Sequence, residues 1–332
     1  MARYGFLTNS DVWFGVNEEV KGPFHSNGGI RMDGEQNSLA TSARSTYTCG
    51  VEHGCNPPSA KPGIWGAGAG QGEGLWQFPV SNFDFGRITQ DLAAIKQAAQ
   101  TSGLYLGPSG RGRYGYHLKF KSNGTVDIYK VKSLMPVVWG YDGVNWFNES
   151  NDISTEQFLS NYTLSSVCGP IFVEDNIWIE GDIKGRTTVA AGRFPDLQST
   201  NAKAIISGNI NYMDANSALG IIAQKDILIP FYSPDNLEIK AALLAQKGHI
   251  FRYYYPSWTY EPYRTYAIRN NIETYGSIIT NTMWTFTWVN SQGSVTSGYR
   301  TTEMSYNPDF TYYPPPYYPV SSDYEISEWK EL

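Results

Sequence analysis

From about residue 172 to residue 287 the chain repeats one pattern: a short apolar run, a break at Gly, Asn or Asp, then another run. IFVEDNIWIEGDI, TTVAAG, AKAIISGNINYM, ALGIIAQKDILIP, LEIKAALLAQKGHIF and IETYGSIIT follow one another in this way. Runs of this length, rich in Ile and bounded by turn formers, read as strands. Successive units occupy roughly 20–30 residues, the scale of a solenoid repeat in which each unit buries little alone and the stack supplies the core. The expected fold is mainly β: a right-handed parallel β-helix with one packed amphipathic helix, aromatic loops and a Pro/Tyr-rich tail. Inward positions are expected at Ile177, Ile179, Ile183, Ile206, Ile210, Ile222, Leu228, Ile239, Leu243 and Ile278, with Asn209, Asn211, Asn271 and Asn281 in turn or ladder contacts.

The rest of the chain divides around this region. Residues 1–135 read as short β-rich segments interrupted by a Gly- and Pro-rich loop at 49–74 and a helix at 85–101. In that helix Ile88, Leu92, Ile95 and Ala99 recur at helical spacing, Asp84 can cap the start, and Gly103 follows the end. YHLKFKSNGTVDIYKV predicts a hairpin turning at Asn123–Gly124, with Tyr116, Leu118 and Phe120 on one face and His117 toward solvent. Residues 136–167 read as a connecting insertion, a Trp/Asn/Asp-rich loop followed by a helical turn at STEQFLSNY. Residues 168–290 form the β-helix core. Residues 291–332 supply a closing hairpin strand and a tail whose Pro314–Pro316 suits polyproline geometry and could cap the stack. One continuous structural unit is expected.

Composition narrows the function classes. Aromatic residues make up 15% of the chain, with 24 Tyr and 10 Trp, whereas charged residues make up only 17%, against roughly 25% in soluble domains. This balance suits exposed β surfaces and extracellular proteins. A net charge of −6 and the lack of a Lys/Arg cluster leave no footprint for nucleic acid. No apolar run is long enough to span a bilayer as a helix.

Cys49 and Cys55 flank GVEHG. A disulfide there would close a very short loop worth about 2 kcal/mol; free thiols and a metal site shared with His53 are the alternatives. Cys168, in the apolar SSVCGPIFV, reads as a small buried hydrophobe.

Candidate chemistry is sparse. The histidines at 25, 53, 117 and 249 show no metal-ligand spacing. His25 is expected to hydrogen-bond across adjacent coils, and His249 lies at a coil turn without a visible acid. GRGRYG near Gly110 lacks the Lys-Ser/Thr of a phosphate loop and reads as a flexible loop. Asp175, Glu180 and Asp182 form a weak acidic candidate. Paired carboxylates could hydrolyse a glycan or hold a structural calcium, but EDN and EGD are also turn contexts. No other cofactor is expected. The stronger clue is aromatic: Tyr253, Tyr254, Tyr255, Trp258, Tyr260, Tyr263 and Tyr266 crowd one loop, with Tyr313 and Tyr317 in the tail. Such side chains bury area at low entropy cost and suit recognition, although they also suit a local core.

Taken in order, RYGFLTNSDVWFG, GPFHSNGGIRMDG, DLAAIKQAAQTSGLYL, IWIEGDIKGRTTVAA, ALGIIAQKDILIP, LEIKAALLAQKGHIFR, ETYGSIIT, GYRTTEMSYNPDF and YPPPYYP span about residues 3–319. In this order the chain resembles the extracellular β-helical portion of bacterial type IV pilus-associated, minor-pilin-like surface proteins. The resemblance implies a noncatalytic structural or adhesive protein of the bacterial cell surface, with pilus or envelope subunits or surface glycans as partners. It also implies an upstream hydrophobic anchor, removed from this chain. It carries no catalytic residue. A carbohydrate-active enzyme and a self-assembling filament subunit are the alternative expectations.

Overall fold

Strands that are apolar at successive positions need cover on both faces, because each face carries half of the side chains. In the computed structural model, which describes residues 4–319 apart from 17, 86, 167–168, 283 and 291–292, this cover organises the whole protein. The fold is mainly β. It has one substantial helix, α1 (Arg87–Thr101), and one short helix (Tyr263–Tyr266). No helix among the described residues is long and apolar enough to cross a membrane.

Three parallel ladders carry the architecture. The first runs from Leu104–Leu106 through Ile171–Val173, Arg186–Ala191, Ala218–Ala223 and the ends of Asn236–Ala245 and Ile268–Thr280. It then continues into the chain's own N-terminal strands, Phe6–Thr8, Phe24–Ser26, Ala40–Ser42 and Trp76–Gln77. The second contains Gly115–Lys121, Ile177–Ile183, Ala204–Tyr212, Ile227–Ile229, Ile250–Arg252 and Trp284–Thr285. The third joins the second half of Ala204–Tyr212 to the first halves of Asn236–Ala245 and Ile268–Thr280, then to Val295–Tyr306, Glu18–Lys21 and Glu35–Gln36. The chain visits the ladders in turn. The pairings of Phe6–Thr8 with Ile268–Thr280 and of Glu18–Lys21 with Val295–Tyr306 join its two ends.

One core lies among the ladders. Ile171, Val189, Ile221, Leu243, Ile278, Phe6 and Phe24 stack in register within it, as do Ile179 and Ile206, and Ile210 and Ile239. The neighbours that point the other way are buried too. Phe172, Ala190, Ile222, Leu244, Ile279 and Leu7 form a second core under α1 and the C-terminal tail, which contribute Leu92, Ile95, Ala99, Phe310 and Tyr318. Trp178, Ile205, Leu228 and Phe251 join a third core with the 253–263 aromatics. Ile222 and Leu228, expected inward, therefore face outward into these flanking cores. The reason is that both faces of the strands are dry, so hydropathy does not distinguish them. The side chain of Ile88 lies outside the described residues, as do Cys168 and residues 320–332.

The tail crosses the first ladder and is held there by Arg186, whose Nη2 donates to the carbonyls of Tyr313 and, at 3.0 Å, Pro314. A Cβ at Gly220 would meet Tyr318 at 2.7 Å, so the glycine makes room for the tail. The Asn123–Gly124 hairpin forms as Gly115–Lys121 against Thr125–Leu134. Two expectations fail here. STEQFLSNY is no helical turn but part of the strand Ile153–Thr163, which pairs with Thr125–Leu134. The loop expected from Val138 contains a hairpin, Val138–Tyr141 with Trp146–Glu149.

The outer side of the third ladder is polar. Glu238, Glu273, Glu303, Glu19 and Glu35 occupy registered positions on successive strands. Lys240 and Lys21 pair with Glu238 and Glu19 at 2.7 and 2.9 Å. Just beyond the ends of the first-ladder strands, asparagines bridge neighbours: Asn9 donates to Asn281 at 2.9 Å and Asn27 to Asn9 at 2.6 Å. This seam lies where the N-terminal strands stack on the last C-terminal ones. Asn209 accepts from the Glu238 amide, and Asn271 accepts from Thr301.

Candidate functional site

The aromatic stretch at 253–266 divides into core and surface. Tyr253, Tyr255 and Tyr263 are buried, a correction to their expected place on a recognition surface. Tyr253 donates to Glu149 at 2.9 Å, Tyr255 packs on Phe231 at 4.6 Å between ring centres, and the Tyr263 hydroxyl accepts from the Trp139 amide at 2.6 Å. Burial pushes the pKa values of all three phenols up. Their centre is Arg252, fully buried, whose guanidinium donates to the carbonyls of Ala267, Phe231 and Tyr266 and sits 4.8 Å from the Tyr255 ring. Tyr266 is half-buried beneath Arg269, which lies 4.5 Å from its ring.

Trp258 and Tyr260 remain outside, 76% and 68% exposed. Their ring neighbours are local, but Tyr254, which Trp258 touches, meets side chains from elsewhere in the sequence. Tyr141 and Tyr254 are bridged backbone to backbone, which attaches the Val138–Tyr141 hairpin to the loop. Trp146 then lies 5.3 Å from Tyr141 and 6.1 Å from Tyr254, and Trp288 lies 6.2 and 6.0 Å from the same two rings. The Trp258 indole donates to the Tyr254 hydroxyl at 3.4 Å. The result is an aromatic platform of Tyr141, Trp146, Tyr254, Trp258 and Trp288 beside the second ladder. Trp146 and Trp288 were not among the sequence candidates. The available signal was the Asp142–Gly143 turn between WGY and NWF, where Asp142 accepts from the amides of Val144 and Asn145 at 2.8 and 2.7 Å. Tyr313 and Tyr317 are exposed but ride on the tail over the first ladder, apart from this platform.

The acidic candidates separate. Asp175 is buried and accepts from the amide and hydroxyl of Ser109 at 2.9 and 2.6 Å, from the Asn176 amide at 2.8 Å, and from Arg193. Asp182 accepts from Asn211 on the neighbouring strand at 3.4 Å. Glu180 belongs to a different cluster, centred on His117. That histidine is buried rather than solvent-facing, because the strand Ile153–Thr163 covers it from a direction its own alternation cannot reveal. Its Nδ1 lies 2.7 Å from Glu156, and its Nε2 lies 3.4 Å from Glu180 and 3.3 Å from Ser207. Lys119 completes the cluster, 2.8 Å from Glu156.

Burial alone would lower the His117 pKa, but the two carboxylates outweigh it and the net shift is upward. Burial opposes the charge on Glu156, yet His117 and Lys119 bring its pKa down to about 2. While protonated, His117 can donate to both carboxylates and has no lone pair with which to take a proton from Ser207, so in that state the arrangement is an ion network.

His25 bonds across strands as expected, to Thr41 at 2.9 Å, and also to Asn27 two residues on at 2.9 Å. His249 has an acid partner that its sequence context did not reveal: Asp226 lies 3.5 Å from its Nδ1 and accepts from its amide at 2.9 Å. Cys49 and Cys55 form a disulfide. Among the described residues no three His, Cys, Asp or Glu side chains converge to hold a metal ion. The chain matches no family model, no curated protein and no solved structure.

Proposed function

We propose that the chain is a noncatalytic, adhesive or structural protein of the bacterial cell surface, built as a right-handed parallel β-helix. Strands that visit three parallel ladders in rotation, with stacked Ile, Leu and Phe between them, support the helical reading. The handedness follows the rule for parallel crossovers. The pilus-associated family it resembles supplies the setting, with pilus or envelope subunits or surface glycans as partners. The Cys49–Cys55 bond agrees with an oxidising compartment.

The observation that carries the adhesive role is the platform of Trp146, Tyr254, Trp258 and Trp288. Planar side chains grouped at a surface offer stacking faces to the apolar flank of a sugar ring or to a partner subunit. Hydrolysis would need two carboxylates across a single gap. Asp175, Glu180 and Asp182 are each committed to separate partners, which favours a role without turnover.

The test is calorimetric titration of the full chain with neutral cell-surface oligosaccharides, alongside Trp146→Ala/Trp258→Ala. Loss of binding in the double variant, with an unchanged melting temperature, supports the reading. Equal binding by wild type and variant removes the platform from it. Release of reducing sugar from any of these glycans would overturn the noncatalytic assignment.

A further inference from the structure

On a different part of the molecule, the loop GPSGRGRYG leads into Gly115–Lys121 and borders a cleft of about 340 Å³. Arg111, Arg113 and Lys130 line it, and no carboxylate does. Cations nearby are paired: Lys96 with Glu174, Lys119 with Glu156, Lys121 with Asp127 and Arg193 with Asp175. Arg111, Arg113 and Lys130 form no ion pair with any described residue, in a chain whose net charge is −6.

The loop is held in place from beneath. Ser109 is buried and gives both its amide and its hydroxyl to Asp175, and Lys130 donates to the Ser109 carbonyl at 3.3 Å. The Tyr116 hydroxyl donates to the carbonyl of Gly107 at 2.9 Å, and the Tyr114 amide donates to Val131 at 3.1 Å. Gly110 and Gly112 take φ values of 100° and 71°, and open space surrounds the position a Cβ would occupy on each. These glycines therefore serve the backbone path, not close packing, and that path leaves both arginines exposed. Asp175, a sequence candidate for acid chemistry, here anchors a basic loop.

The cleft's other wall is Gln157, Phe158 and Leu159 on the strand Ile153–Thr163. Phe158 and Leu159 are 53% and 47% exposed. Unpaired guanidinium groups suit carboxylate or sulfate oxygens. An adjacent apolar wall suits the C–H flank of a sugar ring. The volume lies at the small end of ligand sites, which run from about 300 to 1,000 Å³.

From this combination we propose that the cleft binds the anionic sugar units of an acidic polysaccharide, at a site separate from the aromatic platform. The full chain is titrated with oligogalacturonate, a heparin-derived oligosaccharide, cellohexaose and a thymidine oligonucleotide at two salt concentrations. Wild type is expected to bind the acidic oligosaccharides over cellohexaose at this site, more weakly at high salt. Arg111→Gln/Arg113→Gln is expected to lower that affinity at least about tenfold without moving the melting temperature. Phe158→Ser/Leu159→Ser is expected to weaken binding of the acidic oligosaccharides without moving the melting temperature.

Equal affinity of the arginine variant for acidic sugars would overturn the proposal. So would oligonucleotide binding as tight as that of the oligosaccharides and indifferent to Phe158 and Leu159. Self-association lost in the arginine variant would also overturn it, assigning the cleft to the glutamate row of a second copy.

Discussion

Replacing Glu156 by Gln tests whether the His117 cluster is the ion network its geometry describes. Glu156 lies 2.7 Å from His117 and 2.8 Å from Lys119. The drop in its pKa from 4.5 to about 2 is a stability statement, because the folded state holds the ionised form more tightly than the unfolded chain does. At 1.36 kcal/mol per pKa unit this is about 3 kcal/mol. The Glu156 side chain keeps 19% of its exposure and Lys119 keeps 35%, so solvent screening reduces the expected loss to about 1–2 kcal/mol.

The pH dependence is two-sided. The Glu156 contribution is complete above its unfolded pKa of 4.5 and is lost as pH falls toward 2. His117 has a raised folded pKa, so its contribution is complete below 6.5 and is lost as pH rises through the folded value. The cluster should therefore hold most strongly between about pH 4.5 and 6.5. Urea unfolding of wild type, Glu156→Gln and His117→Gln at pH 3, 5.5 and 8.5 should give the largest differences at pH 5.5. For His117→Gln the difference should be smaller at pH 8.5 than at pH 5.5, while Glu156→Gln retains part of its effect through Lys119. A difference from wild type that does not change with pH in either variant would refute the argument.

Other outcomes follow from packing and register. Ile179→Ala, at a fully buried position of the central core, should cost about 2–5 kcal/mol in urea midpoint analysis, and a loss below 1 kcal/mol would mean the stack can collapse around it. Gly181→Ala should destabilise by more than about 1 kcal/mol, because the residue has φ 111° and its Cβ would lie 2.1 Å from the Phe120 carbonyl. A melting temperature equal to wild type would contradict that geometry. Glu303→Gln, between registered Glu273 and Glu19, should stabilise by about 0.2–1 kcal/mol at low salt and by less at high salt. A loss of stability at low salt would show that the row is held by contacts other than charge repulsion.

Local order was legible in the sequence wherever one short segment contains its own instructions. The apolar runs with Gly and Asn breaks marked strands, Leu92, Ile95 and Ala99 marked the buried stripe of α1, and Asn123–Gly124 marked a hairpin. The Cys49–Cys55 bond was also within reach, because a spacing of six residues lets the two thiols meet locally.

Tertiary structure decided which face each strand turns and which distant groups meet. Ile222 and Leu228 look like Ile221 and Ile227 in the sequence, yet they belong to different cores, because α1, the tail and the 253–263 loop dry the outer faces as well. Tyr253 and Trp258 are neighbours of equal aromatic character. One is sealed beneath a hairpin and the other is left in solvent, according to where residues 138–149 dock. His117 depends on acids 39 and 63 positions away, a number of residues that no strand period relates to it. The stacking of Phe6 on Ile278 joins the two ends of the chain. Periodicity reports how each residue alternates along its own strand. Partner choice depends on the register between strands far apart in sequence, and that is set only when the whole stack buries its apolar surface together.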